Sequence, residues 1–470
     1  MTYWLGLDVG TSSLKAVAVD ADGVVRARAA VPYRNGGHAG EQDALEWAAA
    51  AREGIAECSR EAGLAGVSVT GQVPTVVLVD ESGDPVRSAS TWQEQRSASH
   101  ADALAARFGH STRLFGFALP WAASQVPAKL GWLAEIDPGA RRRARWFLQP
   151  KDYIGYLLTG IAASDAWSMK GVVRVPNGEV LPEVLEAAGW TAQHCPEIRR
   201  PEAILGRTRG DALGLPEGIP VSVGWSDALS SMFALGVLTA SGAFVISGTS
   251  DVVGLTGDWD DVDAPGLYVV PAGIAPKTIV YGPTQASGAS IAWAAELLGL
   301  SIAAALALAE SADPEHTPSF VPYLDGERAP LWRSDVRAVM TELDLRCGPA
   351  EFMRSVVNGV GGSARHILET ASAATGAPIP GVRVGGRGED ELVGLSAKAA
   401  ALGRPLSVLT EPYVSAYGAA MLAAVTSSGG DWSTAERLHG RFVDLDTPPT
   451  GPDPYGTYLR TSRMATEWTS

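Results

Sequence analysis

The sequence predicts an α/β protein of two domains, and three observations carry the prediction. The chain has 470 residues, too many for one ordinary core and suited to two of roughly 230 residues each. Short apolar runs that end in small-residue turns alternate with stretches of helical spacing, the pattern of strands followed by helices. One turn also recurs: Leu7-Asp8-Val9-Gly10-Thr11-Ser12 near the start is echoed by Val245-Ile246-Ser247-Gly248-Thr249-Ser250 about half a chain later.

The elements follow in order. Tyr3 to Val19 reads as two strands joined by the Gly10-Thr11-Ser12-Ser13 turn. Asp20, Asp22 and Gly23 then close a tight turn before a third strand over Val24 to Arg28. Asp43 is placed as the N-cap of a helix through Leu45, Trp47, Ala50 and Ile55. A strand over Gly66 to Thr70 ends at Gly71-Gln72, and another over Ile219 to Val223 ends at Gly224-Trp225-Ser226-Asp227. Ligands of such folds gather beyond the C-terminal ends of the strands. A boundary is expected near Leu235 to Ser241, which gives domains 1–238 and 239–470. Gly, Thr and Ser are common turn formers, so the echo draws its weight from its matching flanks. Arg141-Arg142-Arg143 reads as a solvated helix face, and the alanine-rich Ile302 to Ala309 as a packed helix.

Composition narrows the function. Hydrophobic residues make up 46% and charged residues 19%, enough apolar content for large cores. A formal charge of −15 argues against a general affinity for nucleic acid or anionic membrane. Cys58, Cys195 and Cys347 form no Cys-x-x-Cys pattern and no disulfide framework is expected, which fits a reducing compartment. The seven histidines include no metal-type pair on one helix turn. Asp8 interrupts the apolar start, which reads as a strand rather than a secretory signal. No apolar run approaches the roughly 20 residues of a bilayer span, so a cytoplasmic protein is expected.

Several motifs suit phosphoryl transfer, which needs groups to hold phosphates and a base to take the acceptor's proton. The Gly10-Thr11-Ser12 turn offers backbone N–H groups and hydroxyls without bulk, Lys15 a positive charge, and Asp8 a carboxylate suited to hydrated Mg²⁺. The same residues also read as an ordinary hairpin with an exposed lysine. Asp227 follows a strand and can either accept a proton from a bound hydroxyl or cap the next helix; local pattern favours the cap. Gln72 reads as a ligand for a polyhydroxylated molecule or as a loop glutamine.

Taken in order, these motifs resemble the FGGY carbohydrate kinases, sugar and polyol kinases of the actin and hexokinase superfamily. The resemblance covers most of the chain. Gly6 to Lys15 resembles the family's first phosphate turn, and Ser247 to Ser250 its second. Pro150-Lys151-Asp152-Tyr153 with Leu158-Thr159-Gly160 and Ala163-Ser164-Asp165 resembles the first signature region, and Gly224 to Asp227 the segment of the catalytic base. Ser287 to Trp293 resembles a nucleotide-lining stretch, and Tyr323 to Pro330 a segment typical of xylulose and gluconate kinases. Tyr417-Gly418-Ala419-Ala420 resembles a small-residue helix start. Departures stand beside these. The chain reads Gly71-Gln72-Val73-Pro74-Thr75 where xylulose kinases usually carry Gly-Gln-Met-His-Gly, and Trp92-Gln93-Glu94 where Trp-Asn-Asp is common. In the adenosine loop it reads Gly385-Gly386-Arg387-Gly388-Glu389.

The resemblance implies two ribonuclease H-like domains flanking a cleft and an ATP- and Mg²⁺-dependent kinase, nearest the xylulose kinases. Asp227 would be the base and Asp8 would hold Mg²⁺ through water. Gln72, Val73, Trp92, Gln93 and Asp152 would contact the sugar, with Asp152 also reading as a helix cap. Gly10, Thr11, Ser12, Ser13, Lys15, Gly248, Thr249, Ser250, Gly288, Gly385, Gly386 and Glu389 would contact ATP. The expected partner is a small sugar or polyol, with a homodimer allowed and neither nucleic acid nor membrane. Rival readings are a kinase of glycerol, a tetritol or gluconate, a noncatalytic sugar sensor on the same scaffold, and an actin-like ATPase.

Overall fold

Strand β1 (Tyr3–Val9) is almost wholly buried, as its apolar sequence demands, and it pairs with a strand on each side. The computed structural model describes residues 2–34, 40–59, 62–210, 212–386, 395–445 and 453–468. From β1 the chain turns back antiparallel into β2 (Ser13–Asp20) and again into β3 (Val25–Pro32). Helix α1 (Ala44–Cys58) follows, and the Asp43 carboxylate accepts the Leu45 N–H at 2.9 Å as its cap. Its buried face of Trp47, Ala50, Ala51, Gly54, Ile55 and Cys58 repeats at helical spacing and covers β2 and β3. Strand β4 (Leu64–Gly71) returns parallel to β1.

Next come α2 (Val126–Ile136), α3 (Pro150–Thr159), β5 (Ile204–Arg207), β6 (Pro220–Ser222) and α4 (Asp227–Ala234). The first sheet has six strands in the order β5-β6-β4-β1-β2-β3, with β6 parallel to β4 and β5 antiparallel at the edge.

A second sheet of seven strands uses the same plan. Its strands are β7 (Gly242–Ile246), β8 (Val252–Gly257), β9 (Tyr268–Val270), β10 (Thr278–Pro283), β11 (Val382–Gly385), β12 (Leu406–Leu409) and β13 (Phe442–Leu445), in the order β9-β10-β8-β7-β11-β12-β13. Strands β7, β8 and β10 form the antiparallel meander, and β11 and β12 add parallel to β7. Helices α5 (Gly288–Leu297), α6 (Pro349–Thr375) and α7 (Leu395–Leu402) belong with this sheet. The echo in the sequence therefore marks one topological position, the turn between the first two strands of each sheet.

The sheets lie in separate units. One comprises Met1–Thr239, Gly273–Pro276 and Tyr413–His439, and the other Ala240–Ala272, Lys277–Pro412 and Gly440–Ser470. The sequence reading assigned all of 239–470 to one domain. Instead helix α8 (Val414–Ser427) belongs to the first unit, because its small-residue face packs on β1, β4 and α4. A methyl group on Gly6 would strike the Ala416 carbonyl oxygen, and one on Gly418 would strike the Ser230 carbonyl oxygen, so glycine alone permits this approach.

The alanine-rich stretch is helical, over Ile302–Glu310. Among the described residues no single helix is long and apolar enough to cross a membrane.

Candidate active site

Two strands of the first unit, β1 and β6, lead into the acidic residues. Asp8 lies near the C-terminal end of β1, in register with Thr70 of β4 and with Lys15 of β2. The Thr70 hydroxyl donates to the Trp225 carbonyl at 2.8 Å, and Gly71 bridges to Ser226 in the parallel sense. Asp227 thus starts its helix beside the strand ends that carry Asp8. Gly224, at φ +74, makes the bend possible, since a side chain there would meet the Val69 carbonyl.

The helix cap is Ser226, whose hydroxyl accepts the Leu229 N–H at 3.4 Å. Asp227 stands one position later, inside the first turn. Its Oδ1 accepts its neighbour's N–H, from Ala228 at 2.7 Å. It keeps partial solvent access although protein surrounds it on most sides. Burial lifts its carboxyl to about 7, helped by the charge of Asp8 and opposed by the Ala228 N–H and Lys170. Asp8 is likewise lifted to about 6 by burial, opposed by Lys15 and by a hydrogen bond from Ser415 at the start of α8. The Ser415 hydroxyl also shares a 2.8 Å hydrogen bond with Ser231 of α4, so α8 ties the two acidic elements together.

The first glycine turn is braced on all sides. The Tyr33 hydroxyl donates to the Gly10 carbonyl at 3.1 Å, and the Trp92 indole N–H to Thr11 Oγ1 at 3.1 Å. Gln72 donates to the Gly10 carbonyl at 3.2 Å and to Gln42 Oε1 at 2.7 Å, while Gln42 donates to the Thr11 carbonyl at 2.5 Å. Both Gln72 N–H groups and the Trp92 N–H are therefore engaged in shaping the turn, where the sequence reading directed them at the sugar. Ser12 is exposed at the tip, Ser13 opens β2, and Lys15 lies over the Tyr413 ring at 5.6 Å. Val73 is partly exposed and Gln93 is exposed.

Asp152 is wholly buried. It accepts the Gln149 N–H at 3.0 Å at the start of α3 and pairs with Lys151 at 2.6 Å, and Lys151 also reaches Asp165 at 3.1 Å. That is the capping alternative of the sequence reading, joined to an ion triad.

In the second unit, Gly248 and Thr249 are exposed in the turn between β7 and β8, with Ser250 partly so. The Gly288 N–H donates to the Gly248 carbonyl at 3.1 Å, and the Ser287 and Ala289 N–H groups donate to the Thr249 carbonyl at 3.0 and 3.1 Å, so α5 begins against this turn. Gly385 accepts the Ser247 N–H at 2.9 Å, and Gly386, at φ +90, leaves no room for a side chain against Ser247. Four of the expected nucleotide positions, Gly248, Thr249, Gly288 and Gly386, thus converge. Glu389 lies outside the described residues.

The sequence reading missed Lys398 of α7, which pairs with Asp251 at 2.7 Å and donates to Ser247 at 2.9 Å beside the turn. It also missed Tyr33, Gln42 and Ser415, whose types carry no signal and which reach the site only by folding. The Asp325 to Pro330 segment is knit into the second unit itself. Glu327 accepts the Gln285 and Arg328 N–H groups and the Ser363 hydroxyl, and Arg328 donates to the Thr284 carbonyl.

Residues 3–234 match the FGGY family of carbohydrate kinases, N-terminal domain, and residues 243–427 match its C-terminal domain. The chain belongs to this family. As an FGGY carbohydrate kinase it is a sugar kinase enzyme that uses ATP. It is 27% identical over 459 residues to a xylulose kinase of Staphylococcus xylosus, covering 92% of each chain. Among solved structures it is similar to a xylulose kinase from Rhodospirillum rubrum, at 26% identity and TM-score 0.82 over 99% of this chain and 97% of that one. A gluconate kinase from Lactobacillus acidophilus shares the fold, at 21% identity and TM-score 0.84 over 99% and 97%. The architecture is accordingly the two-domain α/β fold of the actin and hexokinase superfamily, as expected of this FGGY member.

Proposed function

We propose that the protein transfers the γ-phosphoryl group of ATP to a hydroxyl of a ketopentose or related polyol, with xylulose the first choice. The observation that carries the catalytic part is the division of labour at α4. Ser226 caps the helix, which leaves the Asp227 carboxylate available beside Asp8. As the acceptor oxygen bonds to the γ-phosphorus and the bond to ADP breaks, the acceptor's proton passes to Asp227. A carboxyl near 7 suits a base that must work at neutral pH and release its proton afterwards. The Gly10–Ser13 and Gly248–Ser250 turns would hold phosphate oxygens, and the glycines at 385 and 386 would lie along the nucleotide.

Asp8 fits a role beside Mg²⁺. Its Oδ1 is buried without a hydrogen-bond partner among the described residues, as suits a group that meets a hydrated cation. When bound, such a cation would neutralise phosphate charge.

Relatives that carry the name xylulose kinase support the choice of sugar. A second reading, another polyol or a sugar acid, is favoured by Val73-Pro74, where neither side chain offers a hydrogen-bond donor. The test is ADP release with xylulose, xylitol, a tetritol, glycerol and gluconate, run on wild type and on Asp227→Asn. We expect turnover of xylulose or a polyol, and a fall of about 10²- to 10⁴-fold in the variant with nucleotide binding retained. Near-normal turnover in a folded Asp227→Asn protein removes Asp227 from the mechanism, and turnover of gluconate alone rejects the choice of acceptor.

A further inference from the structure

The first glycine turn is gripped by its carbonyls. The Gly10 carbonyl accepts from the Tyr33 hydroxyl and from Gln72, the Thr11 carbonyl from Gln42 at 2.5 Å, and the Ser12 carbonyl from the Tyr33 N–H at 3.2 Å. These peptides are trans, and in a trans peptide the N–H points opposite to the C=O. Donors gathered behind the carbonyls therefore turn the N–H groups of Thr11 and Ser12 the other way. Among the described residues neither of these N–H groups has an acceptor.

The direction of the Gln42 amide is fixed from behind. Gln42 lies in the two-residue strand Glu41–Gln42, which pairs with Ala89–Ser90. Its Oε1 accepts at 3.2 Å from the indole N–H of Trp47, a fully buried side chain that can donate but not accept. Gln72 donates to the same oxygen at 2.7 Å. With Oε1 so committed, the amide nitrogen is the end that faces the Thr11 carbonyl. We propose that Gln42 is a positioning residue for phosphoryl transfer: backed by Trp47, it holds the Thr11 carbonyl so that the Ser12 N–H donates to a phosphate oxygen of ATP. This rests on the reading of Gly10–Ser13 as a phosphate-holding turn. Donors set in advance need no reorganisation when charge arrives. A Thr11 carbonyl free to swing over would instead set a partial negative charge against the phosphates.

The experiment measures kcat and KM with the acceptor that wild type phosphorylates, and titrates a nonhydrolysable ATP analogue and adenosine separately with that acceptor present. The proteins are wild type, Gln42→Met, Gln42→Glu and Lys15→Ala. Gln42→Met should lower kcat and weaken the analogue by about 10- to 100-fold, the range for a hydrogen bond to a charged group. Adenosine affinity and the KM for the acceptor should stay within about twofold, because neither involves the phosphates. Gln42→Glu still accepts from Trp47 and Gln72 but cannot donate to Thr11, so it should lose the analogue as well, and it reads the donor even if Gln42→Met folds poorly. Wild-type kcat and analogue affinity in either Gln42 variant overturn the inference, as does a loss in Gln42→Met shared equally by the analogue and adenosine. Lys15→Ala probes the turn without touching Gln42. A loss of the analogue there with none in Gln42→Met overturns the positioning role alone, and no loss in either overturns the phosphate reading of the turn too.

Discussion

At α4, Ser226 and Asp227 are neighbours that could each have capped the helix, and which of them did so decided whether a carboxylate stayed free. Serine and aspartate cap about equally well, so the sequence left both options open and only the backbone angles chose. Gln72 illustrates the other side of that limit: the residue was legible, but its partners Gly10 and Gln42 were not, because a side chain's bonds depend on distant segments. Glu327 yields a prediction of the same scale. Burial lifts its carboxyl to about 7 from an ordinary 4.5, against the Gln285, Ser363 and Arg328 bonds. Between those values the folded protein keeps a proton that the unfolded chain has lost. Its contribution to stability is therefore fullest below about pH 4.5 and falls as pH rises through 7. Glu327→Gln keeps an acceptor for both N–H groups and cannot ionise. The melting temperature of wild type relative to Glu327→Gln should thus drop between pH 5 and pH 8, and a constant difference across that range would refute the shift.

Among the elements, those set by local chemistry were the most legible. The cap at Asp43, the α1 face and the β1–β2 turn all follow from residue type and spacing within a few positions. Helix α8 was legible only as a helix start rich in small residues, because the strand that needs that smallness lies some four hundred positions earlier. Its geometry makes a sharp test. In Gly418→Ala the added methyl would fall on the Ser230 carbonyl of α4, and neither backbone can step aside without moving Ser415 from Asp8. We expect a loss of about 1–3 kcal/mol in denaturant unfolding, the usual cost of overpacking, together with reduced turnover. An unchanged unfolding midpoint would show that α8 packs less closely on α4.

The duplication of the whole molecule was legible because the repeated turn sits at the same place in both sheets. The return of Tyr413–His439 to the first unit was not, since no periodicity or composition marks a segment's allegiance. It implies that residues 1–239 alone leave β1 and β4 without the helix that covers them. That fragment should lack a cooperative thermal transition, and joining 413–439 to it through a flexible linker should restore one; a cooperative transition in the fragment alone would contradict this. The same interleaving orders events on the ribosome. Helix α8 of the first unit is made only after Ala240 to Pro412 has been translated, an interval of roughly ten to thirty-five seconds at ordinary elongation rates. Throughout it the nascent first unit shows a bare apolar sheet face, so holding chaperones have a defined window of engagement that closes when α8 emerges.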